Sequence, residues 1–146
     1  MPDLSNYTGK PLNGFASRFI DTLEAEGFTV ALTVQGPIKG ARKTLRIFWR
    51  SMFIGLMNAS LWGRKDPYAC LYRFPTDQDT NSIARAPLGF DKDDFARRHG
   101  CSSEQLHVHT DDSGAYLWVK DEATGLHLMR DWARRVDAVF LEAARC

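Results

Sequence analysis

From Phe28 to Arg50 the chain alternates with a period of two, which excludes an all-helical fold. Phe28, Val30, Leu32 and Val34 take one face of an extended segment, and Thr29, Ala31 and Thr33 take the other. GPIKG at 36–40 is turn chemistry, after which the alternation resumes. Leu45, Ile47 and Trp49 then point one way, and Arg42, Thr44, Arg46, Phe48 and Arg50 the other. Two antiparallel strands joined as a hairpin form the simplest structure that accommodates both runs.

The segments on either side read as helices and further strands. Residues 1–11 hold two prolines and a glycine and predict an arm or loop. Leu12, Phe15, Ala16, Phe19, Ile20 and Leu23 then fall on one helical stripe, with Asn13 placed as its N-cap and Gly27 as its terminator. For residues 51–63 a short buried helix capped by Ser51 is preferred to a strand continuing to about Met57, although Gly55 weakens both. Tyr68, Cys70, Tyr72 and Phe74 share one face of a further strand, and Pro75–Phe90 is a long loop rich in Asp, Thr, Asn and Pro. Asp91 caps a helix that ends at His99 before Gly100, with acids in its first turn and arginines in its last. Leu106–Thr110 and Ala115–Lys120 predict a second hairpin around residues 111–114. A last helix from Thr124 carries the stripe Met129, Trp132, Ala133, Val136, Phe140 and Ala143, supported by an Asp131–Arg135 pair at i, i+4.

The expected architecture is a single α+β domain over residues 1–146. An antiparallel sheet of about five strands packs against N- and C-terminal helices in the order α-β-β-(α)-β-α-β-β-α. That order is similar to the order in type III secretion chaperones and in profilin-like domains. At 146 residues the chain is long enough to bury a genuine core.

The formal net charge is only +1, but it is unevenly spread. Lys39–Phe74 holds eight Lys or Arg against one acid, Asp66, and the segments on either side are acidic. The three cysteines, Cys70, Cys101 and Cys146, do not suggest an oxidised framework, and the start of the chain does not read as a signal peptide. Reduced thiols and a cytoplasmic location are the expectation. The longest apolar run, Met52–Trp62, is too short to span a bilayer, so no membrane partner is expected.

Two surfaces are candidates for function. The first is the outward row Arg42, Arg46 and Arg50 with Phe48 between them, widened by Lys39, Lys43, Arg64 and Lys65. Alternate strand positions lie about 6.6–6.8 Å apart, close to the phosphate spacing of one nucleic-acid strand. Guanidinium groups suit bidentate phosphate contacts, and Phe48 could stack on a base. The competing reading is a solvated face that keeps the sheet soluble. The second surface is His107 and His109, which pairing with the next strand places beside Tyr116, Trp118 and Lys120 as an exposed partner face.

His107-Val108-His109 with Asp111 also bears on metal binding, since residues two apart on a strand share a face. LHVHTDD resembles the first metal-binding motif of the polymerase and histidinol phosphatase family of metal-dependent phosphoesterases. That resemblance implies ligand roles for His107 and His109. It departs from the family in length, since only His127 and fewer than 40 residues follow. No GxGxxG or GxxxxGK pattern occurs, no cofactor is implied, and neither Cys70 nor Cys101 sits where a thiolate is favoured. The expectation is a small binding module, more a non-enzyme than an enzyme. It presents a basic, aromatic sheet face to an anionic partner: nucleic acid, a nucleic-acid-handling protein, or an acidic protein surface. The alternative is a protein-interaction module (an inhibitor, immunity protein or secretion-chaperone-like protein), with a homodimer possible. A metal-dependent hydrolase at His107 and His109 comes third.

Overall fold

A computed structural model describes residues 14–32, 44–58, 69–74, 86–111 and 114–145. The chain is α+β, with a six-stranded antiparallel sheet and three α-helices. In order these are α1 (Gly14–Ala25), β1 (Thr29–Leu32), β2 (Thr44–Trp49), β3 (Met52–Asn58), β4 (Cys70–Tyr72), α2 (Lys92–His99), β5 (Leu106–Asp111), β6 (Gly114–Val119) and α3 (Glu122–Arg145). The strands lie side by side as β1-β2-β3-β4-β6-β5. β5 therefore forms an edge beyond β6, which returns to pair with β4. The predicted arm and Asn13, and residues 75–85 of the predicted loop, lie outside the described residues.

The expected helix within residues 51–63 is a strand instead. β2 and β3 form a tight hairpin in which Trp49 pairs with Met52, and the two turn residues Arg50 (φ 48) and Ser51 (φ 68) both adopt left-handed backbone. That is the geometry of a two-residue turn whose twist suits the strands on either side, which sequences usually mark with Asn-Gly or Asp-Gly. A second irregularity follows. The pairing shifts between Ile47↔Gly55 and Phe48↔Phe53, so Ile54 is an extra residue, as in a β-bulge. Ile54 joins the main core, and a Cβ built on Gly55 would also point at that core, 3.0 Å from Met129 Sδ.

The main core lies on one face of the sheet, under the helices. α1 contributes Ala16, Phe19, Ile20 and Leu23, α3 contributes Leu128, Met129, Trp132, Ala133 and Val136, and α2 contributes Phe95 and Ala96. Beneath them lie the inward residues Leu45 and Ile47 of β2, Cys70 and Tyr72 of β4, Leu106 of β5, and Leu117 and Val119 of β6. Fully burying a side chain the size of Phe19 or Leu117 stabilises by roughly 1.5–3 kcal/mol. Two glycines let the layers close. A Cβ on Gly125 of α3 would stand 3.1 Å from the Phe19 ring, and one on Gly55 would stand 3.2 Å from the Leu71 carbonyl oxygen. Gly27 ends α1 with φ 101, as its position predicts. Arg130 then ties the helices together with two hydrogen bonds to Glu26, at 2.6 and 2.7 Å. Asp91 and Gly100 cap α2 as expected: the Asp91 carboxylate accepts from the Asp93 and Asp94 amides, and Gly100 is left-handed.

Candidate functional site

Among the described residues, Arg46 and Phe48 of the first candidate surface and His107, His109, Tyr116 and Trp118 of the second lie on one face of the sheet, the one turned away from the helices. The strand registers place Arg46 opposite Leu56, Leu56 opposite Leu71, Leu71 opposite Trp118 and Trp118 opposite His107. At about 4.8 Å per strand this row crosses roughly 19 Å of sheet. A second row includes Phe48 opposite Phe53, and Tyr116 opposite His109. His107 and His109 do lie beside Trp118 and Tyr116, in the pairing expected from the sequence.

Among the described residues, Arg46 departs first from the solvated basic face expected of it. It points outward as the alternation requires, yet it is only 4% exposed. Its guanidinium carbon stands 4.6 Å from the centre of the Phe53 ring, and that of Arg73 stands 5.2 Å from the same ring. Arg73 is 5% exposed and donates from Nη1 to the Phe53 carbonyl at 3.1 Å. Burial lowers the Arg46 pKa from its usual value, with the nearby Arg73 charge adding to the effect. Around these cations Phe53, Leu56 and Leu71 form a second small core, with Phe48, Tyr116 and Trp118 packed against it. Phe48 and Trp118 thus pack at this cluster's margin and are partly buried. Of the predicted basic patch, Lys39, Arg42, Lys43, Arg64 and Lys65 lie outside the described residues.

Burial lowers the pKa of His107, and the charges of Lys120, His109 and Lys92 act in the same direction. Among the described residues no three His, Cys, Asp or Glu side chains come together as metal ligands would; the Asp111 side chain is not among those described. Burial pushes the Cys70 thiol up to about 12, and raises Cys101 as well.

Arg50 also departs from the expected row. It sits in the β2–β3 turn rather than on the strand face, and it turns toward α3. Asp137 Oδ1 accepts from Arg50 Nε at 2.6 Å and from the Trp49 indole N–H at 2.9 Å. Those two donors hold the Asp137 carboxyl below its ordinary range. The Arg50 guanidinium lies over the Phe140 ring, 5.3 Å from its centre. The turn is thereby clamped onto the C-terminal half of α3.

Beside that clamp, and sharing Phe140 with it, is an apolar groove of about 300 Å³, lined by Met52, Trp132, Arg135, Val136, Val139 and Phe140. The helical lining falls at i, i+3, i+4, i+7 and i+8, so it continues the stripe that packs α3 on the sheet. Its inner members, Trp132 and Val136, are buried, and the Trp132 indole donates to the Arg73 carbonyl at 2.9 Å. Its outer members are exposed: Val139 at 67%, Phe140 at 51% and, across the groove, Met52 at 39%. α3 has 24 residues and so runs about 36 Å. Its apolar stripe therefore outlasts the core that the sheet offers it.

Arg135 of the lining also belongs to a polar cluster. Asp131 Oδ2 lies 3.1 Å from His99 Nδ1 and 3.1 Å from Arg135, and Arg134 approaches Asp131 Oδ1 at 3.6 Å. The His99 ring stacks on Phe95 with centroids 4.1 Å apart and meets Tyr72 edge-on. Burial lowers the His99 pKa below its usual 6.5, outweighing the Asp131 hydrogen bond, which acts to raise it; the Arg135 charge lowers it further. The Tyr72 hydroxyl is pushed up to about 12, chiefly by burial. His127 Nε2 donates to the His99 carbonyl at 2.6 Å, fixing the end of α2 against α3.

Sequence reasoning placed Phe140 in the core stripe of the last helix and did not single out Val139 or Met52. The signal available was the length of that stripe, which reaches past Val136 by two further turns. No protein family matches the chain, and no curated protein or solved structure was found to be similar to it. Among the described residues no helix is long and apolar enough to cross a membrane.

Proposed function

We propose that this chain is a protein-interaction module that receives part of a partner protein in the groove between the C-terminal half of α3 and the β2–β3 turn. One observation carries the reading: the stripe of α3 leaves Val139 and Phe140 exposed beside Met52, with the turn fixed against them through Asp137. A helix end whose apolar stripe runs on with no layer over it among the described residues is the arrangement that helix-in-groove recognition uses. The nucleic-acid reading loses two members of its central row, since Arg46 is buried on Phe53 and Arg50 is turned to Asp137.

A photoreactive amino acid placed at Val139, in the cells that make the protein, tests this. A defined covalent adduct should form at Val139, disappear in a Phe140→Asp background, and not form from Thr29 on the edge strand. Equal labelling from both positions, or none from Val139, would remove the groove from consideration.

A further inference from the structure

Among the described residues, Arg135 is the one charged side chain in the groove lining, and its guanidinium lies against His99. We infer that the two form a proton-operated latch on the groove: the guanidinium rests on the imidazole while the ring is neutral and leaves it, and the groove wall with it, when the ring takes up a proton. As a regulation of binding this rests on the groove being the docking site; the latch itself does not.

Arg135 Nη2 stands 3.3 Å from His99 Nδ1 and 3.4 Å from Nε2. In the plane of the ring, a point that close to both nitrogens would collide with the carbon between them, so Nη2 lies over a ring face. Phe95 stacks on the imidazole with centroids 4.1 Å apart, which leaves the opposite face to Arg135. A neutral imidazole accepts this layering, because a cation over an aromatic face is attracted by the ring electrons. An imidazolium does not, because the stack then sets two like charges in contact.

The groups around the ring leave little to offset that repulsion. From α3, Asp131 Oδ2 lies 3.1 Å from His99 Nδ1 and 3.1 Å from Arg135, with Arg134 on the other oxygen at 3.6 Å. Asp131 fixes the proton of the neutral ring on Nδ1, so the second proton enters at Nε2. From α2 itself, Arg98 adds a further positive charge. From β4, Tyr72 meets the ring edge-on and stays a phenol at these pH values, its hydroxyl being pushed up to about 12. His127 of α3 is engaged at the His99 carbonyl. With the ring charged, the Asp131 carboxylate would have to serve His99, Arg134 and Arg135 together. Arg135 is the cation pressed on the ring, and its side chain is 45% exposed, so it can turn to water.

Arg135 lies three residues after Trp132 and four before Val139 on the lining stripe, so its departure opens the middle of that wall. The groove keeps the wall at neutral pH and loses it in mildly acidic solution. A partner seated against Arg135 is then bound more weakly below the His99 midpoint.

The test is an NMR titration of the intact protein from about pH 8 to about pH 5, across the range in which histidine changes charge. It follows the His99 ring, the Arg135 Nε–H group and the methyl groups of Val136 and Val139. All should move with one shared midpoint, below the ordinary histidine value of 6.5. In His99→Gln the methyl signals should no longer titrate. In Arg135→Gln, a change at a half-exposed side chain, the His99 midpoint should rise by about one pH unit as a cation leaves its face. Circular dichroism melts check that both variants fold. Methyl signals that stay constant through the His99 midpoint, or that still titrate in His99→Gln, would overturn the latch. So would a His99 midpoint unmoved or lowered in Arg135→Gln. These signals need no partner, whereas a missing Val139 adduct at neutral pH overturns the docking site and leaves the titrations as they are.

Discussion

Gly55 is the position where the fold leaves least room, and its substitution has a calculable effect. The residue lies in β3 just after the extra residue of the bulge, and its missing side chain is what lets α3 approach the sheet. An added Cβ would stand 3.0 Å from Met129 Sδ, 3.1 Å from Met129 Cε and 3.2 Å from the Leu71 carbonyl oxygen. The thioether is the far end of a flexible side chain and can retract, but the carbonyl is backbone shared with the β4 ladder and cannot. Overpacking of this kind costs about 1–3 kcal/mol, with Gly55→Ala near the lower bound and Gly55→Val near the upper. For 146 residues the unfolding entropy near the melting temperature is about 0.3 kcal/mol/K. Gly55→Ala should therefore lower Tm by about 3 °C and Gly55→Val by about 10 °C in a circular dichroism melt, with the urea m-value unchanged. In an uncrowded strand the same Gly→Ala change would instead stabilise by roughly 0.5–1 kcal/mol. A raised Tm for either variant would refute the close approach of α3 to β3.

Further outcomes follow from the same geometry. Arg46→Ala removes a buried cation stacked on Phe53 and should lower Tm by several degrees, corresponding to roughly 1–2 kcal/mol, while Arg50→Ala moves it much less; the reverse order in thermal melts would contradict the burial of Arg46. Ser51→Gly relieves a left-handed serine at φ 68 and should stabilise by about 1 kcal/mol in urea titrations, and a loss would argue against the turn. The His99 pKa is lowered in the folded state, so the unfolded chain takes up a proton first as pH falls. This share of stability is complete above the ordinary value of 6.5 and lost as pH drops through the folded value, with His107 acting in the same window. The urea midpoint should thus decline between about pH 7 and pH 5, and His99→Gln should flatten part of that decline; an unchanged profile would mean that His99 is not buried as described. Cys70, with its thiol pushed up to about 12 and wholly buried, should resist iodoacetamide in the folded protein and react after denaturation, as peptide mapping by mass spectrometry can record.

Local pattern was enough to read much of this fold. The stripe Ala16, Phe19, Ile20 and Leu23, the Asp91 and Gly100 caps, and the alternation of Leu106–Val108 against Leu117–Val119 all specify their elements through residues near in sequence. The failures share a cause, in that each depends on a distant partner. β3 reads poorly because the bulge at Ile54 breaks the period and because both of its faces are buried, Phe53 and Leu56 in the outer cluster, Ile54 and Met57 in the main core. A strand buried on both sides shows a continuous apolar run, which a buried helix shows as well. The Arg50-Ser51 turn carries none of the usual turn residues, and Arg50 is instead held by Asp137, 87 positions away in the chain. Arg46 lies on the outer face as the alternation predicts, but its burial depends on Phe53 across the hairpin and on Arg73 just after β4. The groove was hidden in the same way: Val139 and Phe140 extend a core stripe, and only the position of the sheet shows that the core has ended before them.

The most direct test of the groove as docking site is hydrogen exchange on the intact protein, alone and bound to the partner that Val139 captures. Amides of residues 135–145 and of the β2–β3 turn should gain protection on binding, while β5 and β6 around His107, His109, Tyr116 and Trp118 stay unchanged. Protection appearing on β5 and β6, with none gained along α3, would place the partner on the outer face of the sheet and contradict the role given to the groove.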